Sequence, residues 1–326
     1  MGHAARPGAR LRALPVALLS ALALAGPARA QTNLLGVSGL GGEPRFAKLF
    51  YQWGSMLVDA AARLGVPDSQ VVFLAEDPSL DPRRIAGRST RDEVGRVMRA
   101  LATRATPDAL IMIVLLGHGT DRGNPRLSLP GPDLSARELA DMLSALPAGR
   151  VVVVNTASAS GGFVSALSTR GRVVVTATKS GFEQNHATFG GRFVEAFAGT
   201  EADADKDERV SLLEAFRYAR QAVRRAYDSE KQLLTEHALL DDNGDGVGSE
   251  EPDATTGDGV LAAAVFLAVA PAAVVAATDP ELRGLLERKG SLERQIAELR
   301  SRRSGLSAEE YDRQLEALLV DLAQTD

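Results

Sequence analysis

The stretch Val151-Val-Val-Val-Asn-Thr-Ala-Ser158-Ala-Ser160-Gly-Gly162 decides how the rest of this chain is interpreted. A run of four valines is typical of a strand that is buried on both faces of a sheet, and the small residues after it are typical of a tight turn. Functional residues of α/β proteins are often mounted at such strand ends. The chain contains no cysteine. A nucleophile at this turn would therefore be the hydroxyl of Ser158 or Ser160.

Apolar strand patterns and amphipathic helix patterns alternate along most of the chain. The predicted strands cover residues 33–37, 70–75, 109–116, 151–154 and 172–178. The predicted helices cover residues 44–64, 90–101, 135–146, 188–198 and 211–227. Strands that alternate with helices form βαβ units. The sequence therefore predicts an α/β fold of three layers, with a mostly parallel central sheet and helices on both of its faces.

Two polar residues follow neighbouring strands of this predicted sheet. His118 lies between Gly117 and Gly119, directly after the fully apolar strand 109–116, and Ser158 follows the strand 151–154. Ligand sites of parallel α/β sheets lie beyond the carboxyl ends of the strands. We therefore expect His118 and Ser158 at the same edge of the sheet, where the flanking glycines let the backbone approach a ligand closely.

Residues 1–30 differ in composition from the rest of the chain. Three arginines precede an apolar stretch from Leu14 to Ala25, and Ala28-Arg29-Ala30 fits a signal-peptidase cleavage site. This pattern predicts a secretory signal peptide and export, and the Ala- and Arg-rich, Lys-poor composition favours the bacterial periplasm. Without this segment, which holds four arginines and no acidic residue, 33 basic and 42 acidic residues give a net charge of −9. That charge argues against nucleic acid as a partner.

An uncharged stretch from Val260 to Ala277 follows the last predicted helix of the domain. It is long enough to raise the question of a membrane span. However, half of its residues are alanine and Pro271 interrupts it. We therefore predict a last core strand at Leu261–Val269, a linker after it, and no transmembrane anchor. The main domain would then extend over residues 31–277.

Residues 278–326 are predicted to form a helical hairpin that resembles a coiled coil. The first helix begins at Asp279-Pro280-Glu281, and the second begins at Ser307, which forms a capping box with Glu310. The apolar stripes are Leu282, Leu285, Leu292, Ile296 and Leu299 in the first helix, and Tyr311, Leu315, Leu318 and Leu322 in the second. Such stripes are buried against the main domain, against each other or against a partner.

The two strand ends resemble those of a known family, the caspase-like cysteine peptidases, and most closely those of its legumain-like branch. That family has an apolar strand ending in His-Gly, here residues 111–119, and a second strand ending in Asp-Ala-Cys-His-Ser-Gly, here residues 155–161. The segment Gly65-Val-Pro67-Asp68-Ser-Gln70-Val-Val-Phe also resembles the legumain turn into the second strand. The resemblance covers residues 33–270 and implies a caspase-like sandwich.

At the centre of this resemblance the chain departs from the family. Ser158 stands where the family has its nucleophilic cysteine, and Ala159 stands where a histidine follows it. A free thiol, with a pKa of about 8.5, is partly ionised at neutral pH, whereas a serine hydroxyl needs a base held against it. In the family the histidine acts mainly on the leaving group and backbone amides hold the oxyanion, roles that the resemblance gives to His118 and to the turn residues Gly119 and Ala159. We therefore interpret the chain as a pseudopeptidase that binds peptide or protein segments without cleaving them.

Two other hypotheses stay open. In an active serine hydrolase, Ser158 or Ser160 would attack, His118 would be the base, and Asp77 or Asp121 would orient it. The turn lacks the G-x-S-x-G pattern, however, and the histidine precedes the serine in the chain. The third hypothesis is a purely structural module that acts through its C-terminal hairpin.

The resemblance also implies which residues would contact a bound peptide. Arg45 follows the first strand, at the position of an arginine that lines the legumain specificity pocket and could receive a polar or acidic side chain. Arg45 fits equally well a solvated arginine at a helix start. The other wall of the pocket would come from Thr178, Ser180 and Glu183, after the fifth strand.

Two acidic loops partly match a calcium-binding pattern. Asp203, Asp205, Asp207, Ser211 and Glu214 occupy positions 1, 3, 5, 9 and 12 of an EF-hand loop. Glu208 stands where a glycine should make the turn, and Ser211 and Glu214 also fit a capping box. Residues 241–246 have the front half of such a loop, with Pro252 at its end. No cofactor other than calcium is predicted, and His186 and His237 are interpreted as ordinary surface or loop residues because neither has a partner at metal-ligand spacing.

Overall fold

The computed structural model describes residue 2 and residues 31–147, 149–267, 279–301 and 303–325. The strands of these residues are β1 (Thr32–Ser38), β2 (Val71–Ala75), β3 (Gly87–Arg88), β4 (Leu110–Leu116), β5 (Gly119–Thr120), β6 (Arg126–Leu127), β7 (Leu134–Ser135), β8 (Arg150–Asn155), β9 (Arg172–Thr176) and β10 (Leu239–Asp241). The central sheet has the order β10-β9-β8-β4-β1-β2-β3, and β5, β6 and β7 form a small second sheet. In the central sheet β10 runs antiparallel to β9, and the other neighbouring pairs are parallel.

Helices cover both faces of the central sheet. They are α1 (Pro44–Arg63), α2 (Arg91–Arg104), α3 (Ala136–Ser144), α4 (Phe163–Leu167), α5 (Phe189–Glu195), α6 (Leu212–Ser229), α7 (Pro280–Ser301) and α8 (Ala308–Ala323). One core joins a face of the sheet to α1, α5 and α6, and the other core joins the opposite face to α2, α3 and α4. The predicted three-layer α/β fold with a mostly parallel sheet is therefore confirmed.

The middle of the sheet explains why the two functional candidates share an edge. All seven residues of β4 are buried, and they alternate between the two cores: Met112 and Val114 face one, and Ile113 and Leu115 face the other. Strand β8 lies parallel to β4, with Leu115 beside Asn155. Because the two strands run in the same direction and in this register, the residues that follow them lie at the same edge of the sheet.

The prediction of a last core strand at Leu261–Val269 is wrong for the residues that the structure describes. Residues 262–264 form a short 3₁₀ helix, and Phe266 forms one isolated bridge with Ser211. The edge of the sheet beside β9 is occupied by β10 instead, so the apolar run packs as a turn against the core below it. Residues 268–278 lie outside the described part of the chain.

The predicted C-terminal helical hairpin is present: α7 ends at Ser301 and α8 begins at Ala308. Leu292, Ile296 and Leu299 of α7 and Tyr311 of α8 are buried. Helix α7 also contacts the 3₁₀ helix 262–264 of the main domain. Within the described residues, no helix is both long enough and apolar enough to cross a membrane. The predicted signal peptide covers residues 1–30, which, except for residue 2, lie outside the described part of the chain.

Candidate functional site

Ser158 is held at the rim by the backbone of the segment that carries His118. Its side chain is buried, with 2% of the residue exposed. The Ser158 Oγ accepts a hydrogen bond from the Gly119 N–H at 3.3 Å and donates one to the Gly119 carbonyl at 3.5 Å. In the described part of the chain, no hydrogen bond joins Ser158 to the His118 imidazole. The structure thus brings these two residues to one rim without forming a serine–histidine pair.

The turn after Ser158 is sharp and is held by the loop that follows β9. Ala159 has a left-handed backbone with a φ of 52°, which is uncommon for a residue other than glycine. Its N–H donates a hydrogen bond of 2.8 Å to the Glu183 carbonyl. This amide, which the resemblance places near the oxyanion, is therefore engaged within the protein. Gly119, the other implied oxyanion residue, has its N–H on Ser158.

Thr178 connects the same two loops through its hydroxyl. The Thr178 Oγ1 accepts hydrogen bonds from the Ser160 N–H at 2.7 Å and from the Gly161 N–H at 3.3 Å. The Ser160 Oγ lies 3.1 Å from the same oxygen and accepts the Thr178 N–H at 3.3 Å. Both residues are buried. The structure therefore places Thr178 and Ser160 inside a hydrogen-bonded connection between the loops.

His118 lies in a half-buried aromatic environment. Its imidazole packs edge-on against Phe46, with ring centroids 4.7 Å apart, and against Phe50 at 5.1 Å, both from helix α1. Burial lowers the pKa of His118 below its ordinary value of about 6.5, and the nearby Glu43 carboxylate offsets part of that shift. Burial thus favours the neutral form of the His118 imidazole.

His186 is a site residue that the sequence did not indicate. Its imidazole stacks on Trp53 with ring centroids 5.9 Å apart, and lies 5.8 Å from the His118 ring. Its Nδ1 is buried and has no hydrogen-bond partner within the described residues. Burial, followed by the positive potentials of His118 and Arg45, lowers the pKa of His186 to about 4. No spacing in the sequence connects the two histidines; the only signal is that the loop after a strand reaches the same rim.

Arg45 lies next to these rings and forms an ion pair with Glu43. The Arg45 Nε is 2.9 Å from the Glu43 carboxylate, and both side chains are mostly exposed. The Arg45 guanidinium also lies over the Phe46 ring, 4.5 Å from its centroid. The predicted acid-receiving arginine, at the start of helix α1, is therefore paired with the N-cap residue of that helix.

Glu183 organises the loop after β9. Its carboxylate accepts hydrogen bonds from the Lys179 N–H at 2.9 Å and from the His237 N–H at 3.1 Å, and it lies 2.5 Å from the His237 Nδ1. The Ser180 Oγ accepts the Phe182 N–H at 3.3 Å. The side chains of Glu183 and Ser180 thus bind neighbouring loop segments, and His237 is a partner of Glu183.

The acids considered for a serine hydrolase have other partners. The Asp77 Oδ1 accepts hydrogen bonds from the N–H and the hydroxyl of Ser79, at 2.9 and 2.7 Å. The Asp121 Oδ1 accepts the Gly123 N–H at 2.9 Å. Among the described residues, neither carboxylate hydrogen-bonds to His118. The relay that a serine hydrolase needs is therefore not assembled in this structure.

The first acidic loop brings part of the predicted calcium pattern together. Carboxylate oxygens of Asp203, Asp205 and Glu214 lie within 4.8 Å of one another. Asp207 is not in this group, and its Oδ2 pairs with the Arg209 guanidinium at 2.7 Å. Glu214 also completes the capping box of α6 with Ser211. Burial raises the pKa of Asp205, and the neighbouring carboxylates add to that shift.

The second acidic loop is more deeply buried. Asp241 and Asp242 have at most 1% of their surface exposed, and Asp258 has 8%. Asp242 accepts the Gly259 and Ala262 N–H groups at 2.9 and 2.7 Å. These carboxylates therefore fix the chain between β10 and the 3₁₀ helix 262–264.

Comparisons with known proteins give a distant match. No protein-family model and no curated protein matches the chain. Among solved structures, the chain is similar to caspase-1 from Spodoptera frugiperda, with 12% identity and a TM-score of 0.42 over 66% of this chain and 87% of that chain. It is also similar to the Drosophila initiator caspase Dronc, with 12% identity and a TM-score of 0.44 over 68% of this chain and 82% of that chain. The function proposed below therefore rests on the geometry of the site itself.

Proposed function

We propose that this protein is an exported, legumain-like homologue of the caspase-like peptidases that binds peptide or protein segments and does not cleave them. One observation carries the proposal. The Ser158 hydroxyl, at the position that resembles the nucleophile of the family, is buried and hydrogen-bonded to the Gly119 backbone. The side chain that would have to activate it, His118, has no hydrogen bond to it in the described residues.

The hydrogen bonds of Ser158 explain the lack of nucleophilic power. A serine hydroxyl attacks a carbonyl only when a base removes its proton. Here the Ser158 hydroxyl donates its hydrogen bond to the Gly119 carbonyl oxygen, which does not take up a proton at neutral pH. The Gly119 N–H is engaged with the same hydroxyl, and the Ala159 N–H is engaged with Glu183. Attack and oxyanion stabilisation would therefore both require rearrangement.

Binding, in contrast, needs ordered loops more than it needs a nucleophile. The turn after β8 and the loop after β9 are joined by Thr178 and by the hydrogen bond between Ala159 and Glu183. Loops that are already ordered lose less conformational entropy when a ligand binds, and this favours affinity. A rim of this kind retains a binding surface after the chemistry has been lost.

Export to the periplasm is part of the proposal and follows from the pattern of residues 1–30. A fusion of these residues to a reporter enzyme that is active only outside the cytoplasm tests it. We expect reporter activity, and we expect its loss when the apolar stretch Leu14–Ala25 is interrupted by two charged residues. Full activity of the interrupted fusion would contradict the export signal.

A peptide library separates binding from cleavage. The purified protein is incubated with octapeptides, and both the retained peptides and any fragments are identified by mass spectrometry. We expect retained intact peptides and no fragments. Fragments that disappear in Ser158→Ala but persist in the matched control Ser165→Ala, an exposed serine, would establish the serine hydrolase instead. Capture of a protein by the hairpin alone, with no peptide retained at the rim, would favour the structural module.

A further inference from the structure

Five rings pack against one another in a group that we call the ring cluster. Its members are Phe46, Phe50, Trp53, His118 and His186. The ring centroids of His186 lie 4.6 Å from Phe46 and 6.0 Å from Phe50, and those of Phe50 and Trp53 are 5.7 Å apart. Helix α1 supplies three rings, and two loops at the carboxyl edge of the sheet supply the histidines.

The ring cluster has a buried base and an accessible top. Phe50 is fully buried and Trp53 is 8% exposed. Phe46, His118 and His186 are each partly exposed. His118 directly precedes Gly119, which hydrogen-bonds to Ser158, so this ring connects the ring cluster to the rim.

The accessible surface is aromatic and nearly neutral. Burial lowers the pKa of both imidazoles below the ordinary histidine value, which favours the neutral form of each ring. Arg45 is the nearby cation, and it is ion-paired with Glu43 at 2.9 Å. A charged ligand group would thus lose its hydration against neutral rings without gaining a free counter-charge.

We infer that the ring cluster selects an apolar or aromatic side chain of the bound peptide, and this inference rests on the proposed peptide-binding function. Apolar side chains gain by leaving water, and aromatic side chains add favourable ring–ring contacts. An acidic side chain would compete with Glu43 for Arg45. A basic side chain would have to approach Phe46, whose ring already has the Arg45 guanidinium at 4.5 Å. Specificity would therefore differ from the acid-receiving role that the sequence resemblance implied for Arg45.

The test uses three sets of peptides that differ at one position. A peptide retained from the octapeptide library is synthesised with Phe or Leu, with Asp, or with Lys at each position in turn. Its affinity for the purified protein is measured by fluorescence anisotropy at pH 7.5. We expect one position at which Phe or Leu binds about tenfold more tightly than Asp or Lys, an effect of the size that a single methylene group produces in an apolar pocket.

Three variants assign that preference to the ring cluster. Phe46→Ala should lower the affinity for the Phe peptide about fivefold to tenfold and leave the weak Asp peptide unchanged. Phe46→Leu keeps the side chain apolar and should restore most of the affinity, which separates loss of contact from loss of folding. The control Leu80→Ala removes another exposed apolar side chain, in the 3₁₀ helix 78–80, and should leave every affinity within about twofold.

The outcomes distinguish this inference from the proposal beneath it. Retention of no peptide at all would overturn the peptide-binding function and the inference together. Preference for Asp that is abolished by Arg45→Gln would overturn the inference alone and restore the acid-receiving role of Arg45. Phe182 is 94% exposed in the loop after β9. Loss of the apolar preference in Phe182→Ala would also overturn the inference, since the contact would then lie outside the ring cluster.

Discussion

At the scale of single residues, the reactivity of the site depends on the hydroxyl of Ser158 and its hydrogen bonds. Its oxygen is small enough to lie between the N–H and the carbonyl of Gly119, and both groups hydrogen-bond to it. A cysteine sulfur is larger and is only a weak hydrogen-bond donor and acceptor. Serine and cysteine at position 158 therefore differ both in reactivity and in how strongly they occupy the Gly119 N–H.

Ser158→Cys tests this directly, because the chain has no other cysteine. A few per cent of a free thiol is ionised at neutral pH and is strongly nucleophilic, and the weaker hydrogen bond should release the Gly119 N–H for a substrate oxygen. We expect peptide cleavage about tenfold or more above that of Ser158→Ala. The measurement is the release of fragments from the retained library peptides, followed by mass spectrometry.

Alkylation with iodoacetamide supplies the control for this variant. Cleavage by Ser158→Cys should stop after treatment, and the wild-type protein, which lacks thiols, should behave identically with and without the reagent. If Ser158→Cys binds peptides and cleaves none, the serine is not the sole reason for the lack of cleavage. The hydrogen bond between the Ala159 N–H and the Glu183 carbonyl is then the next feature to test.

Asp258 gives a second prediction for a single residue. Burial raises the pKa of Asp258 to about 6, and the carboxylates of Asp241, Asp242 and Asp245 add to the shift. A raised pKa favours folding where the group is protonated in the folded protein, so this contribution is present below pH 3.8 and is lost as the pH rises through 6. Asp258→Asn cannot ionise, and it keeps a side-chain oxygen for the Asp242 N–H.

We therefore expect Asp258→Asn to be more stable than the wild type at pH 8, by at most about 3 kcal/mol. The difference should shrink steadily below pH 6 and be absent near pH 4. Urea unfolding at several pH values in buffer with EDTA measures it. A difference that does not change with pH would show that the substitution acts through packing and not through ionisation.

At the scale of elements, the loops at the carboxyl edge are ordered by polar side chains that could be mistaken for ligand contacts. Thr178 and Glu183 were implied as walls of a peptide pocket, and the structure shows their polar atoms bound to neighbouring loop backbone. The acidic loop before α6 raises the same question. There Glu214 caps the helix while its carboxylate also faces Asp203 and Asp205.

Calcium binding at this loop stays a prediction of the sequence, and thermal unfolding tests it. Three carboxylates within 4.8 Å of one another repel, and a divalent cation would relieve that repulsion. We expect calcium to raise the Tm relative to EDTA, with a stabilisation of about 2.7 kcal/mol at a concentration of 100 Kd. Asp205→Asn should remove most of this effect and leave the α6 capping box intact.

Asp207→Asn is the matched control, because Asp207 pairs with Arg209 outside the three-carboxylate group. It should retain the calcium response. An equal loss in both variants would mean that calcium rearranges the loop into the full EF-hand pattern. An unchanged Tm in calcium for the wild type would contradict the prediction and leave the capping box as the role of Glu214.

At the scale of the whole molecule, the elements that the sequence predicts well are the ones with a regular pattern of buried apolar residues. The long strands β1, β4 and β8 are apolar runs that the core requires, and the structure has them within one or two residues of the predicted bounds. The short strands β3, β5, β6 and β7 have two residues each, and only their tertiary neighbours define them. The edge strand β10 contains Asp241 and resembles a loop in sequence. The apolar run 261–269 has the stronger strand pattern, so the sequence alone predicts the last strand in the wrong place.

The candidate site also divides into residues placed by regular strands and residues placed by tertiary contacts. His118 and Ser158 could be placed at one edge because they follow the two best-defined parallel strands. His186 could not, since its contacts with Trp53 and His118 arise from the path of a loop and not from any periodic pattern. The pairing of Arg45 with Glu43 is likewise a matter of side-chain conformation. The sequence therefore predicts that His118 and Ser158 share one edge of the sheet, and it does not predict the side-chain contacts around them.

The C-terminal hairpin decides whether the molecule unfolds as one unit. Leu292 is 5% exposed, its helix α7 contacts the main domain at residues 262–264, and Arg209 lies 3.9 Å from Glu293. We expect a single unfolding transition in guanidinium chloride. Leu292→Ala should lower the free energy of unfolding by about 2–5 kcal/mol, because it leaves a cavity in the core. Leu285→Ala, at a position 41% exposed on the same helix, should change stability by less than about 1 kcal/mol. Two separate transitions in the wild type, with Leu292→Ala shifting only one of them, would make the hairpin an independent module and revive the hypothesis that it acts on its own.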